Sequence, residues 1–370
     1  MAMSKSETLP EETIVDILSR LPAKFIGQYR CLSKQWCNFL SDPQFIKAHL
    51  TLHAHKQEKK LIFISASQAL KTIAFNHNPQ NGLIIDAISR NINFPKLEDN
   101  WSNVACSCNG LVLVRNQEHI MFLINPTTLE CHRIPTFHLA LPHGNSCSVY
   151  GLGYDFATDD YKTVTLSQHL RGHIDSTFLD VYSMKMDLWR RLESIPYNLL
   201  TNLSGGTPGV LVNGALHWMA SKTSSVVIIA FDLSDEKFLE VPAPSTLDKN
   251  DLDLYGLTAL RGCLCMFSAI LEDEIDVWMM REYRVEESWT RFSIARMDLE
   301  YGFVPFNPIS DDDVILSVDR DKLTVYNMKE DHWRYVEVDG LTSEYGRIGT
   351  FIESLVSPMF GKRAEGYHIA

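Results

Sequence analysis

Basic residues are the first shortage in this 370-residue chain: 34 Lys and Arg stand against 46 Asp and Glu, a net charge of −12. Nucleic acids and anionic membranes are held mainly through Lys and Arg, so both are disfavoured as partners. Long apolar runs are missing too. No stretch reaches the ~20 consecutive apolar residues of a membrane-spanning helix, and the opening Met1–Thr8 has no apolar core of a signal peptide. The expected location is the cytoplasm and/or nucleus. There the eight cysteines stay reduced and the sequon Asn202-Leu203-Ser204 meets no glycosylation machinery. Catalytic markers are also scarce. Gly151-x-Gly153 lacks the third glycine of a dinucleotide loop, the glycine-rich Ser204–Gly209 has no lysine for phosphate, and no Gly-x-Ser-x-Gly elbow occurs.

What is present is a globular composition, 45% hydrophobic and 22% charged. The opening residues read as short helices. Thr8-Leu9-Pro10-Glu11 has the form of a helix start, with Thr8 as cap and Glu11 completing a capping box. Ile14, Ile17, Leu18 and Leu21 follow at helical spacing as one apolar stripe, ended by Pro22. A second helix is predicted over Ala23–Cys31, a third after Ser33 with Trp36, Phe39 and Leu40, and a fourth after Asp42-Pro43. A domain of about fifty residues is marginal, so these helices need either a partner or the neighbouring domain to cover their apolar groups.

Residues 51–60, polar and basic, are expected to form a linker, with residues 359–370 as a tail. From Leu61 the periodicity turns to the alternation of strands, as in Leu61–Ile64, Leu111–Val114, Leu216–Met219 and Lys322–Tyr326. A tight turn recurs: Asn109-Gly110, Asn213-Gly214, Arg261-Gly262 and Asp321-Lys322. Asn-Gly favours hairpins because both residues accept positive φ. The strand aromatics Tyr182, Phe231, Trp278 and Tyr326 lie 47–49 residues apart, and Trp189, Trp289 and Trp333 trail three of them. Such a repeat matches a propeller blade, and residues 61–358 would supply about six. A pair of packed sheets is the competing architecture.

Three kinds of side chain invite a chemical reading. Cys106/Cys108 and Cys263/Cys265 are Cys-x-Cys pairs, each beside a turn glycine; on a strand both members share a face. Structural zinc prefers wider spacing in paired elements, so core packing is the expectation and no metal or other cofactor is assigned. The thirteen histidines lack His-x₃-His spacing, and His217 beside Trp218 reads as a satisfied interior or surface residue. Glu272-Asp273-Glu274 and Asp311-Asp312-Asp313 lack the alternating ligands of a calcium loop and read as solvated turns.

Leu9–Leu50 resembles an F-box, the motif that docks Skp1 of cullin–RING ubiquitin ligases. The matching residues are Leu9-Pro10, Ile14, Ile17-Leu18, Leu21-Pro22 and Arg30-Cys31-x-Ser33-Lys34-x-Trp36; Gly27-Gln28 departs from the usual larger residue and basic one. Gly151–Val164, Leu211–Ala220, Val318–Trp333 and Glu353–Pro358 are similar to the F-box-associated domain (type 1) of plant F-box proteins. The block Asp276–Phe292 is similar to the subgroup named for constitutive expression of pathogenesis-related genes.

The resemblance implies an α+β multidomain chain: a small N-terminal all-α F-box bundle over residues 5–50, then a large all-β, propeller-like domain over residues 61–358. It implies a non-catalytic substrate receptor of an SCF-type ligase, tied through a Skp1-like adaptor to cullin and a RING subunit and holding a protein target for ubiquitination. Its defence subgroup implies a role in plant defence. Leu9, Pro10, Ile14, Ile17, Leu18, Leu21 and Pro22 are the implied Skp1 contacts, with Trp36 in the helical core. Target contacts are expected from His138–Ser148, Gln168–Ser176, Leu200–Pro208 and Leu247–Leu254. The rival readings are a propeller-type hydrolase and a Skp1-binding scaffold outside any ligase.

Overall fold

The computed structural model describes residues 10–53, 59–78, 80, 83–94, 97–137, 146–169, 177–200, 208–222, 225–245, 255–268, 274–295, 307–319, 322–339 and 348–359. Four helices come first: α1 (Glu11–Ser19), α2 (Ala23–Tyr29), α3 (Lys34–Leu40) and α4 (Pro43–His53). Their starts are set locally. Ser33 Oγ accepts the Trp36 N–H at 3.2 Å, and Asp42 Oδ1 accepts those of Gln44 and Phe45 at 2.8 and 3.2 Å. Thr8 lies outside the described residues, and the capping box expected from it gives way to Pro10. That residue holds the cap position of α1, and its carbonyl accepts from Thr13 and Ile14. The linker expected over residues 51–60 is helical through His53, whose ring stacks on His49 with Nε2 2.9 Å from the Ser19 carbonyl.

Among the described residues the remainder forms six antiparallel units, numbered here in chain order: 60–91 with 348–351, 101–133, 146–195, 198–241, 255–295 and 307–339. Each has four strand positions, and the first position of unit 4 is shared by Asn198–Leu199 and Val210–Val212. Units 6 and 1 are fused into one eight-stranded sheet by a short parallel pairing, Val338 with Ala87 and Asp339 with Ile88. The last described strand, Ile348–Phe351, completes unit 1 by pairing with Lys60–Ile64.

Side chains alternate across each strand, and here both faces are covered. Leu111 and Leu113 pack toward unit 3 while Val112 and Val114, between them, pack toward unit 1. Every unit meets its neighbour through an apolar core in this way. Ile62 of unit 1 meets Trp101 of unit 2, and Leu123 of unit 2 meets Tyr182 of unit 3. Val164 of unit 3 meets Trp218 of unit 4, and Met219 of unit 4 meets Met266 of unit 5. Val277 of unit 5 meets Tyr326 of unit 6, and Leu323 of unit 6 meets Ile73 of unit 1. The sixth core returns to the start. A closed ring replaces the competing pair of packed sheets, and it is propeller-like.

The turns follow their residues. Asn109-Gly110, Asn213-Gly214 and Arg261-Gly262 all have positive φ, between 49° and 84°, as a two-residue hairpin of this hand requires. Each joins the first and second strands of its unit. Asp321-Lys322 is out of step, since it lies between the second and third strands of unit 6; Asp321 itself lies outside the described residues.

Units 3 and 4 are further tied by buried charge. Lys162, 5% exposed, reaches Asp155 at 2.9 Å, Glu236 at 3.0 Å and the Leu233 carbonyl at 2.6 Å. Burial alone would raise the Asp155 carboxyl, but hydrogen bonds from Thr158, Ser234 and Lys162 hold it far below the usual range. Removing one partner of a buried pair strands the other charge. Lys162→Met is expected to lower stability by about 3–5 kcal/mol, read as a drop in the urea midpoint at pH 7.

Candidate docking surfaces

The four helices share a small core of Leu18, Ala23, Ile26, Leu40 and Phe45. The seven residues implied as adaptor contacts divide around it. Leu18 is buried in that core, Ile14 and Leu21 are half-buried against it, and Pro10, Ile17 and Pro22 are exposed. Leu9 lies outside the described residues. Trp36 is half-buried against the core and meets Phe39 edge-on. Phe25, which the sequence reading passed over, is exposed at 48%, close to the 49% of Ile17. Its signal was its place three residues after Pro22, on the turn of α2 opposite the buried Ala23 and Ile26.

Helix α4 seats this bundle on the ring. Its Ile46 and Leu50 pack on the core between units 2 and 3, and Lys47 lies 3.5 Å from Asp159. Asp159 belongs to the turn after the first strand of unit 3. Strands alternate in direction, so turns after first and third strands lie at one end of the ring, and connections after second and fourth strands lie at the other. The helices occupy the first end.

Three of the four segments expected to contact a target leave strands at the second end. His138–Ser148 joins units 2 and 3, Gln168–Ser176 follows the second strand of unit 3, and Leu247–Leu254 joins units 4 and 5. Leu200–Pro208 interrupts the first strand position of unit 4. Residues 138–145, 170–176, 201–207 and 246–254 lie outside the described residues. Among the described residues this end carries a pocket of about 210 Å³. Trp101, Ile120 and Phe122 give it apolar walls, and Glu98, Glu118 and Arg133 are charged residues lining it.

The flagged side chains resolve as packing. Cys106 and Cys108 line the core between units 2 and 3, and Cys263 and Cys265 that between units 5 and 6. Burial pushes the Cys108 and Cys265 thiols up to about 12. His217 is fully buried, with Nδ1 3.0 Å from the Val210 carbonyl and Nε2 2.8 Å from the Tyr283 hydroxyl. The neutral ring protonated at Nδ1 satisfies both. Asp311-Asp312-Asp313 is not simply a solvated turn. Asp313 turns inward and accepts from Asn327 at 2.9 Å and Ser310 at 3.1 Å, while Asp312 pairs with Arg261 at 2.8 Å. Of Glu272-Asp273-Glu274, the first two lie outside the described residues.

The F-box domain family matches residues 7–48, and the F-box associated beta propeller domain family matches residues 60–357. The F-box protein CPR1 of Arabidopsis thaliana is 29% identical over 367 residues, covering 91% of this chain and 86% of that protein. An F-box/kelch-repeat protein of the same plant is 28% identical over 365 residues, covering 96% and 97%. Among solved structures, TolB from Acinetobacter baumannii is similar at a TM-score of 0.45 and 9% identity, covering 83% of this chain and 71% of that one.

A Cβ at Gly27 would meet nothing within 4 Å, so the glycine serves no close approach inside α2. Gly27→Ala should stabilise the helix by ~1 kcal/mol, read as slower amide exchange across residues 23–29. Burial lowers the His217 imidazole to about 4, below the ~6.5 of an unfolded chain. The folded state therefore binds fewer protons. Its contribution is complete above pH ~6.5 and is lost as pH falls toward 4, about 3 kcal/mol in all. A histidine NMR titration of wild type and His217→Gln checks the midpoint.

Proposed function

The chain belongs to the plant F-box proteins that carry an F-box associated beta propeller domain, and from that membership we propose that it serves an SCF-type ubiquitin ligase as substrate receptor. F-box domains in general bind Skp1-like adaptors, and F-box proteins in general are non-catalytic subunits of such ligases. In this reading the exposed Pro10, Ile17, Pro22 and Phe25, with Leu9, form the Skp1 contact. Leu18 supports that contact from beneath, and Ile14 and Leu21 hold α1 in place. Cullin and RING subunits follow through the adaptor.

The observation that carries the reading is the separation of two surfaces on one closed ring. The helices sit at the end with the tight turns, and the long connections leave the other. A target held at the far end is presented to a conjugating enzyme without any bond chemistry by this chain. The catalytic contribution is proximity, which makes a bimolecular transfer effectively unimolecular. Likeness to CPR1 and the block Asp276–Phe292 support a target in plant defence.

The test is co-purification with a plant Skp1. Wild type is expected to form a stoichiometric complex. Ile17→Asp and the double variant Leu9→Ala/Pro10→Ala should lose it by tenfold or more in Kd, ~1.4 kcal/mol, while keeping the wild-type circular dichroism. A folded wild-type chain that binds no Skp1 would overturn the proposal.

A further inference from the structure

We propose that the adaptor-docking helices form a conditional surface, complete only when the segment after the ring-closing strand is seated against them. Adaptor binding and closure of the ring are then coupled. The inference rests on the adaptor reading above and adds a regulation of the same site.

The segment is residues 352–356. It leaves the closing strand Ile348–Phe351 and crosses the first end of unit 2 without regular secondary structure. Unit 2 holds it by hydrogen bonds. Asn125, fully buried, donates from Nδ2 to the Ser354 carbonyl at 3.0 Å and to the Val356 carbonyl at 2.8 Å. Gly110 at φ +84° lets the chain pass, since a Cβ there would lie 2.2 Å from Ser354 Oγ and 2.8 Å from the Ile352 carbonyl oxygen. Lys60, on the strand that pairs with the closing one, bonds Glu353.

From this anchorage Val356 turns into the core between units 2 and 3, and Leu355 turns into the helical core. Leu355 is 1% exposed among Leu18, Ala23, Ile26, Leu40 and Phe45. Arg30, at the end of α2, donates to the Leu40 carbonyl at 3.0 Å and to the Leu355 carbonyl at 3.3 Å, and lies 3.7 Å from Glu130 of unit 2. The helical core is therefore shared: one of its fully buried residues arrives from more than three hundred positions along the chain. Helices this short gain most of their stability from packing, so a missing Leu355 leaves the bundle incomplete.

Linkage is reciprocal. If the seated segment favours the adaptor-binding form of the helices, a bound adaptor favours the seated segment, and through it the pairing of Ile348–Phe351 with Lys60–Ile64. A chain whose ring has not closed would carry the F-box sequence and still be recruited poorly.

The experiment uses the full chain, free and with purified Skp1, in wild type, Leu355→Asp and Asn125→Asp. Asn125→Asp keeps an oxygen for the Thr127 and Thr128 N–H groups but loses the amide that holds the segment, and Asn125 lies in unit 2 rather than in the helices. Hydrogen exchange of the free chains is expected to show α1–α4 protection reduced at least about tenfold in both variants, with Ala215–Asp232 of unit 4 unchanged. Kd for Skp1 should rise in step. Added Skp1 should raise protection across 348–356 in wild type. Unchanged helix protection in both variants would overturn the coupling, as would a normal Skp1 affinity alongside exposed helices. If wild type binds no Skp1, the adaptor reading fails, while exchange in the free chains still decides whether helices and segment are coupled.

Discussion

Everything in this structure depends on the ring being closed. Each sheet of the ring carries apolar side chains on both faces, and a sheet of that kind has no stable existence with one face in water. Five cores between successive units would leave units 1 and 6 each with an open apolar face. The sixth core covers both, joining Leu323 and Val336 to Leu61 and Ile73. Ile348–Phe351 is the device that commits the chain to it, because that strand comes from the far side of the sequence and pairs in register with Lys60–Ile64. Local hairpins can form early, but those of units 1 and 6 are not covered on both faces until the ring closes.

Polar groups carried into such a ring need partners within it, and several find them at the seams. Lys162 bridges Asp155 and Glu236 between units 3 and 4. Asn125 uses its amide for the passing segment and its carbonyl for its own turn. A smaller device recurs at the turns. The Tyr182 hydroxyl donates to Asp187 at 2.7 Å, Tyr326 to Asp331 at 2.5 Å, and Tyr154 likewise to Asp159. All three aspartates have positive φ, a conformation that Asp tolerates better than most residues. The bond fixes a strained turn residue to the strand that precedes it by five positions.

The sequence was legible where local chemistry and global packing agree. Ser33 and Asp42 read as caps and act as caps; Asn109-Gly110 and Asn213-Gly214 read as hairpins and have the dihedrals of hairpins. The 47–49-residue spacing of Tyr182, Phe231, Trp278 and Tyr326 marks the third strand of four successive units, and Trp189 and Trp333 pair directly with Tyr182 and Tyr326. The Tyr-x₄-Asp spacing was equally present in the sequence but went unread, because its meaning lies in φ and in a hydroxyl reach. Less legible was which face of α1 turns inward. A stripe of Ile14, Ile17, Leu18 and Leu21 has one apolar side by periodicity, yet Leu18 is buried and Ile17 exposed. Leu18 shares its core with Phe45 of α4, and His49 Nε2 lies 2.8 Å from the Leu21 carbonyl, a placement of α4 that no local pattern encodes. Asp313 illustrates the same limit: three aspartates in a row look solvated until Asn327, fourteen residues away, offers a donor.

The two ends of the ring differ for a reason that precedes any binding partner. Turns after first and third strands connect neighbours within one sheet and can be short, as at Asn109-Gly110 and across residues 126–129. Connections after fourth strands must cross from one unit to the next, and most of them are long, as between residues 133 and 146 or 241 and 255, although only Pro196 and Tyr197 separate units 3 and 4. The end with these turns seats the helical bundle, with Lys47 beside Asp159. The other end carries the longest connections between units, and loops on a rigid scaffold are where binding most often resides. Strand parity alone thus puts the helical bundle and the connections between units at opposite ends.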